Sequence, residues 1–170
     1  MKRFIIFIFI FIVPNLIFGQ KFAYVDTEYI LSNIPSYKAA QDKLDNLSKE
    51  WQKEIEEKYE QVDKMYKDFQ TEKVLLTNEM IKQREAEILE AERAVKALQR
   101  KYFGTNGELF KKREELIKPI QDEVYTVIQD IAQSGNYAII FDSATGANIL
   151  FTDPKYDKSD EVLEKLGYKN

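Results

Sequence analysis

A long stretch of charged and apolar residues, 38–118, constrains the fold of this chain more than any other feature. It contains no proline, its only glycines are Gly104 and Gly107, and it carries 18 basic and 18 acidic side chains. This composition favours helix, because it lacks the residues that interrupt helical hydrogen bonding. We therefore predict that almost half of the chain is helical and has solvated, charge-balanced faces.

The apolar residues of this stretch repeat with the spacing of a coiled coil. In its second half they fall at every seventh position: Ile81, Ile88, Val95, Tyr102, Leu109 and Leu116. In its first half they are spaced by about one helical turn: Leu44, Leu47, Trp51, Ile55, Tyr59, Val62, Tyr66 and Phe69. The pattern predicts two helices, each with one narrow apolar seam.

A break in this pattern at 75–77 predicts that the two seams fold against each other as an antiparallel hairpin. Thr77 is a suitable N-cap for the second helix. With the tip near 75–77, Trp51 faces Tyr102, so a large ring on one helix meets a complementary ring on the other. The predicted arm comprises residues 39–115.

The segments on either side of the arm, 20–38 and 116–170, are expected to form one small β-rich body. Residues 21–26 (KFAYVD) have the alternation and the aromatic content of a strand. Residues 137–142 (YAIIFD) and 148–152 (NILFT) are separated by turn residues, which predicts a β-hairpin. The expected fold class is α+β, with a long helical hairpin projecting from this body.

Three short strands with apolar edges would be prone to aggregation in an isolated monomer. Closing the sheet among several copies removes those edges. We therefore expect an oligomer whose subunits meet through the strands. The predicted interface residues are Phe22, Tyr24, Ile139, Phe141, Ile149 and Phe151.

The first 19 residues have the features of a secretory signal peptide. Lys2 and Arg3 precede an unbroken apolar run, 4–13, and Gly19 offers a small residue before a cut at Gln20. The alternative is an uncleaved membrane anchor, although the apolar part is shorter than the roughly 20 residues that a spanning helix needs. A cleaved signal places the mature chain outside the cytoplasm.

The absence of His and Cys from the 170 residues excludes several classes of function. There is no Cys/His zinc site, no disulfide, no Cys nucleophile and no Ser-His-Asp triad. No phosphate-binding loop or dinucleotide-binding glycine pattern is present, and no basic patch favours nucleic acid. We expect no enzyme activity, no cofactor and no metal.

Taken in order, these segments resemble the Skp/OmpH family of periplasmic chaperones. The resemblance is carried by the FAYVD strand, the charged hairpin, and the runs ELIKPIQDEV (115–124), GNYAIIFD (135–142) and ILFTDPKYDKSDEVLEKL (149–166). It implies a homotrimer with a small β-barrel body and three helical tentacles around a cavity. It also implies an ATP-independent holdase that traps unfolded outer-membrane β-barrel proteins and prevents their aggregation.

Aromatic residues on the arm are the candidates for contact with such clients. They are Tyr59, Tyr66, Phe69, Phe103 and Phe110. An alternative interpretation of the first three is that they fill the seam of the hairpin. For the last two, the alternative is packing near a bend.

Three residues of the return helix are candidate hinges. Gly104 and Gly107 interrupt the helical pattern, and Pro119 is expected to kink the helix that follows. A hinge would let the arm adapt to clients of different size, whereas ordinary helix irregularity is the alternative. The same helix is expected to end with Gly135 in the left-handed conformation.

The charge distribution bears on the partners. The arms are neutral, whereas residues 119–170 carry 9 acidic and 4 basic side chains. Binding to anionic lipid or lipopolysaccharide, which the family resemblance raises, is therefore not expected. The alternative function is a structural coiled-coil scaffold of the envelope that binds one specific folded partner.

Overall fold

The computed structural model describes residues 20–144, 146 and 150–168. The expected signal segment, 1–19, and the predicted interface residue Ile149 lie outside the described residues. The described chain is mostly helical, with two long helices and a small two-stranded sheet.

Two long helices form the arm. Helix α2 spans Pro35–Glu72 and is followed by a 3₁₀ turn, Lys73–Leu75, and by helix α3, Asn78–Phe103. The hydroxyl of Thr77 accepts a hydrogen bond from the backbone N–H of Met80, which satisfies one of the unpaired donors at the start of α3. At 1.5 Å per residue, α2 extends for about 57 Å.

One continuous apolar seam holds the two helices of the arm together. Its buried members are Ile55, Val62, Phe69, Ile88 and Val95. The predicted contact between Trp51 and Tyr102 is confirmed, with ring centroids 4.7 Å apart and ring planes 3° from parallel. The Tyr102 hydroxyl donates to a carboxylate oxygen of Glu54 across the arm at 2.8 Å, and this hydrogen bond raises the pKa of Tyr102.

The return path from the arm to the body consists of three helices rather than one bent helix. After α3 come α4, Glu108–Leu116, and α5, Lys118–Gly135. Pro119 lies in the first turn of α5, where a proline removes no helical hydrogen bond, so it begins a helix and does not kink one.

Helix α5 includes Gly135, the residue that was expected to follow its end, so the helix ends one residue later than predicted. Asn136 adopts the left-handed conformation, with φ 52° and ψ 43°, and Gly135 remains helical. A side chain at Gly135 would nevertheless collide with the Tyr137 ring, whose nearest atom would be 2.2 Å from the added Cβ. The glycine is therefore needed for close packing, and the asparagine provides the turn.

The sheet of the body is parallel, and the hairpin that we predicted is not observed. Strand β1, Lys21–Val25, pairs with strand β2, Tyr137–Asp142. Residues 150–152 have no strand conformation, and the rest of the predicted third strand lies outside the described residues. Parallel strands need a long crossover connection, and the entire arm together with α5 provides it.

The C-terminal segment covers the other edge of β1. The backbone N–H of Lys158 donates to the carbonyl of Tyr24 at 2.9 Å, and Tyr24 forms an isolated parallel bridge with Asp157. No described strand pairs with residues 138–141 on their outer side. The sheet is thus closed on one edge by its own chain.

The core of the body lies between the sheet, α5 and two short helices, α1 (Thr27–Ser32) and α6 (Ser159–Lys165). Its buried residues are Val25, Ile30, Ile34, Val124, Ile131, Val162 and Leu163. A second small cluster, Ala40, Leu44 and Ile117, packs the base of α2 against the junction of α4 and α5. The arm is therefore seated on the body by apolar contacts.

A buried serine joins the two ends of the chain within the body. The Ser159 hydroxyl accepts from the backbone N–H of Asp26 at 2.8 Å and donates to Asp157 at 2.6 Å. Ser159→Ala is expected to lower the free energy of unfolding by about 1–3 kcal/mol, because it leaves a part-buried N–H without its acceptor. Chemical denaturation of the purified protein measures this change.

The matched control for that variant is Ser32→Ala, which removes an exposed serine hydroxyl that donates to the carbonyl of Tyr29. A change within about 0.5 kcal/mol is expected there. Equal effects of the two substitutions would contradict the assigned role of Ser159.

Candidate functional site

The small sheet has two unlike faces. Ala23 and Val25 point into the core of the body, and Ile140 packs against that core. The opposite face carries Phe22 and Tyr24 of β1, which pair with Ile139 and Phe141 of β2 respectively. Four of the predicted interface residues are thus brought together on one face, and we call this set the outer sheet face.

The outer sheet face is apolar and largely open to solvent. Phe22, Ile139 and Phe141 are 45 %, 48 % and 44 % exposed, and Tyr24 is half-buried. The rings of Phe22 and Phe141 stack at a centroid distance of 6.5 Å. Phe151, another predicted interface residue, is 83 % exposed. Exposed apolar surface of this kind is characteristic of interaction sites, and the interface role of these residues stays a prediction.

The aromatic residues of the arm divide into exposed and buried ones. Tyr59, Tyr66 and Phe110 are exposed, and Phe103 is half-buried. Phe69, another client-contact candidate, is only 4 % exposed. It fills the seam near the tip, as the alternative interpretation held, so its ring is not available at the surface.

A hollow of about 380 Å³ lies in the groove between α2 and α3. Tyr59 and Phe103 contribute aromatic walls, Ile55 an aliphatic one, and the rim carries one carboxylate and two amides. The lining residues are Gln52, Ile55, Glu56, Tyr59, Gln99 and Phe103. The hollow is thus an open groove with an apolar floor and a polar rim.

A second hollow, of about 220 Å³, lies where the return path breaks between α3 and α4. Phe103 and Phe110 line it together with Tyr102 and Leu109, and Arg113 supplies a positive charge. Phe103 therefore belongs to both hollows, with the first on its tip side and the second on its body side. We call the two hollows together the aromatic recess.

The wall of the aromatic recess is held in place by a stack of rings. Trp51 lies flat against Tyr102 and meets Phe103 in an edge-to-face arrangement, at a centroid distance of 6.4 Å and an interplanar angle of 79°. Offset-stacked and edge-to-face arrangements are the favoured ones for aromatic pairs. The position of Phe103 is thus set by contacts within the arm.

The two glycines of the break are required by close approach of the backbone. A Cβ at Gly104 would lie 2.4 Å from the carbonyl oxygen of Arg100, and one at Gly107 would lie 2.7 Å from that of Tyr102. The N–H of Gly107 also donates to the carbonyl of Gly104 at 2.8 Å. These contacts describe a tight, hydrogen-bonded bend, and a hinge role for Gly104, Gly107 and Pro119 stays a prediction.

Sequence reasoning overlooked the apolar tip of the arm. Val74 and Leu75 are 87 % and 84 % exposed, although we interpreted this stretch only as a break in the seam. The charges beside them are paired across the arm, Lys73 with Glu85 at 4.0 Å and Arg84 with Glu72 at 3.9 Å. The tip is consequently apolar and electrically balanced.

Two kinds of feature are absent from the described residues. Residues 20–144, 146 and 150–168 contain no group of three or more acidic side chains placed to hold a metal ion. Within the same residues, no helix combines the length and the apolar character that crossing a membrane requires.

Comparison with known proteins identifies the family to which this architecture belongs. The sequence profile of the family described as "Outer membrane protein (OmpH-like)" matches residues 21–166. The chain belongs to the OmpH-like family. The match covers the strand at the start of the body, the whole arm and the last helix, so the family relationship extends over the complete described fold.

Two individual proteins are similar to this OmpH-like chain. An uncharacterized protein of Aquifex aeolicus (strain VF5) is 26 % identical over 166 residues, which cover 98 % of this chain and 96 % of the relative. A crystal structure of a candidate OmpH-like outer membrane chaperone from Caulobacter crescentus CB15 superposes with a TM-score of 0.67. It covers 86 % of this chain and 83 % of that chain at 15 % identity. At this identity the structural match concerns the fold alone.

Proposed function

We propose that this OmpH-like protein is a chaperone of the bacterial envelope. It acts as an ATP-independent holdase in the periplasm, where it encloses unfolded outer-membrane β-barrel proteins between helical arms and prevents their aggregation. The observation that carries the proposal is the pairing of a long arm with an apolar recess in its side and a body with an apolar outer sheet face. Membership of the OmpH-like family supports it.

The proposed assembly is a homotrimer joined through the outer sheet faces. Phe22, Ile139 and Phe141 would be buried together, which removes apolar surface from water at about 25 cal/mol per Å². The three bodies would together complete a closed barrel, in which the open outer edge of β2 in each copy pairs with a neighbouring copy so that no sheet edge stays exposed. The arms would then project side by side from one body and enclose a space.

The proposed client contacts are weak, numerous and non-directional. Apolar burial needs no specific geometry, so exposed side chains such as Tyr59, Tyr66 and Phe110 suit clients of many sequences. The rest of the arm carries many charged side chains of both signs and no net charge, and these side chains keep the enclosed space hydrated. Release occurs when the client reaches a more favourable apolar environment in the membrane, and the scheme requires no nucleotide and no catalytic step.

The proposed location is the periplasm. The basic and apolar N-terminal residues have the features of an export signal, with cleavage near Gly19. Because the arms carry equal numbers of basic and acidic side chains and the tip charges are paired, the proposal includes no electrostatic attraction to anionic lipid or lipopolysaccharide.

The proposal is tested by dilution of urea-unfolded β-barrel proteins into buffer with the mature chain, 20–170. Suppression of light scattering is expected for two unrelated clients without any nucleotide, at a molar ratio near one trimer per client. No suppression at a molar excess of trimer would refute the holdase function. Binding of a single folded partner and of no unfolded client would favour the envelope scaffold instead.

A further inference from the structure

We propose that the aromatic recess binds an extended segment of the client through two apolar side chains at positions i and i+2. One side chain enters each hollow, and Phe103 lines both hollows. The inference rests on the proposed holdase function and names the part of the client that the arm recognises. The occupant is an unfolded segment in which aromatic and polar residues alternate.

The adjacency of the two hollows and the pattern of the proposed clients favour an extended segment. The hollows share Phe103, so they adjoin each other on the arm. Side chains at i and i+2 of a strand are separated by about 6.6 Å and point the same way. Alternating segments are characteristic of membrane β-barrel strands.

The charges at the ends of the recess are complementary to a polar pattern in the client. Glu56 lines the hollow nearer the tip, and Arg113 lines the hollow nearer the body. Neither side chain forms an ion pair within the part of the chain that the structure describes. A segment with a basic residue at one end and an acidic residue at the other therefore fits in one direction.

The recess exists before a client arrives, so binding does not need to create it. Trp51, which stacks on Tyr102, contacts the Phe103 ring, and Phe110 lines the second hollow beside the glycine bend at Gly104 and Gly107. A preformed apolar site loses less conformational entropy on binding than one that must be ordered first.

Trp51 supplies a direct readout, because it is the only tryptophan of the chain and touches Phe103. The probe is a short capped peptide that carries p-nitrophenylalanine, a quencher of tryptophan emission, at positions i and i+2. A lysine precedes these two residues in the peptide and an aspartate follows them. The matched probe is the isomer with the two quenchers at i and i+3, which point to opposite sides of a strand. We expect the i, i+2 peptide to quench the Trp51 emission of the mature trimer and to bind about tenfold more tightly than the i, i+3 isomer.

Three variants distinguish binding in the aromatic recess from non-specific binding to other apolar surfaces of the protein. Phe110→Ser is expected to weaken binding of the i, i+2 peptide about tenfold and to leave the isomer unchanged. Tyr125→Ser, which changes an aromatic residue of the body that is 61 % exposed, should alter neither. Arg113→Glu should weaken binding, and a peptide whose aspartate is replaced by lysine should restore it.

The outcomes distinguish this inference from the function on which it rests. If the protein suppresses aggregation but both peptides bind equally, or neither binds, the recess proposal is wrong and the holdase proposal stands. If the i, i+2 peptide binds selectively while aggregation is not suppressed, the recess is a binding site and the holdase proposal fails. A change of Trp51 emission with protein concentration alone would show that a second copy fills the recess, which would overturn the inference.

Discussion

Replacing Ile139 by aspartate is expected to convert the assembled protein into monomers. Ile139 is 48 % exposed in the single chain and pairs with Phe22 on the outer sheet face. In the proposed trimer the new carboxylate would be buried without a partner, at a cost of several kcal/mol in each subunit. A penalty of about 4 kcal/mol weakens association about a thousandfold. Size-exclusion chromatography with light scattering measures the result.

The matched control for this variant is Leu89→Asp, because Leu89 is 46 % exposed but lies on the arm. The control should remain assembled, since no interface is proposed there. Dissociation of Leu89→Asp with retention of assembly in Ile139→Asp would place the subunit interface on the arms. The same experiment then connects assembly to function, because the monomeric variant is expected to lose most of its suppression of client aggregation.

Gly107→Val is expected to lower the free energy of unfolding by about 3 kcal/mol. The added Cβ would lie 2.7 Å from the carbonyl oxygen of Tyr102 and 2.9 Å from both the nitrogen of Gly104 and the carbonyl oxygen of Lys101. All three are backbone atoms, so no side-chain rotation relieves the contact. The bend must open, which disturbs the stack of Tyr102 on Trp51. Denaturant unfolding followed by Trp51 emission reports stability and local environment together.

Thr105→Val is the matched control, because it introduces the same side chain two residues away at an exposed position. Its effect should stay within about 0.5 kcal/mol. The pair of variants also tests the hinge hypothesis. If the glycines only provide flexibility, Gly107→Val should cost no more than the control, and client suppression rather than stability should change.

The sequence predicted the helical arm well because the arm depends on local rules. Spacing of apolar residues, the absence of helix-breaking residues and the Thr77 cap act within a few residues, and the contact of Trp51 with Tyr102 follows once two seams face each other. Of the two interpretations of Phe69, the structure supports the one in which its ring fills the seam. Because the apolar spacing of the seam is imperfect, the sequence does not indicate what fraction of each aromatic side chain is buried in it.

The errors in the body arose from pairing between distant segments. Residues 137–142 have the pattern of a strand, and β2 forms there, but its partner is β1 at the other end of the chain. Loop closure over such a distance is decided by the core that it buries, including Val25, Ile131 and Val162, and no local motif encodes it. The nearby turn residues made a hairpin the simpler prediction.

The sequence by itself determined that this is a long, charge-balanced helical hairpin attached to a small acidic body with apolar strands, and that His and Cys chemistry is excluded. Only the tertiary structure decided that the sheet is parallel, that one sheet face stays open and that Phe103 lines two hollows beside a glycine bend. Periodicity and composition act along the chain, whereas faces and hollows depend on the packing of residues far apart in sequence.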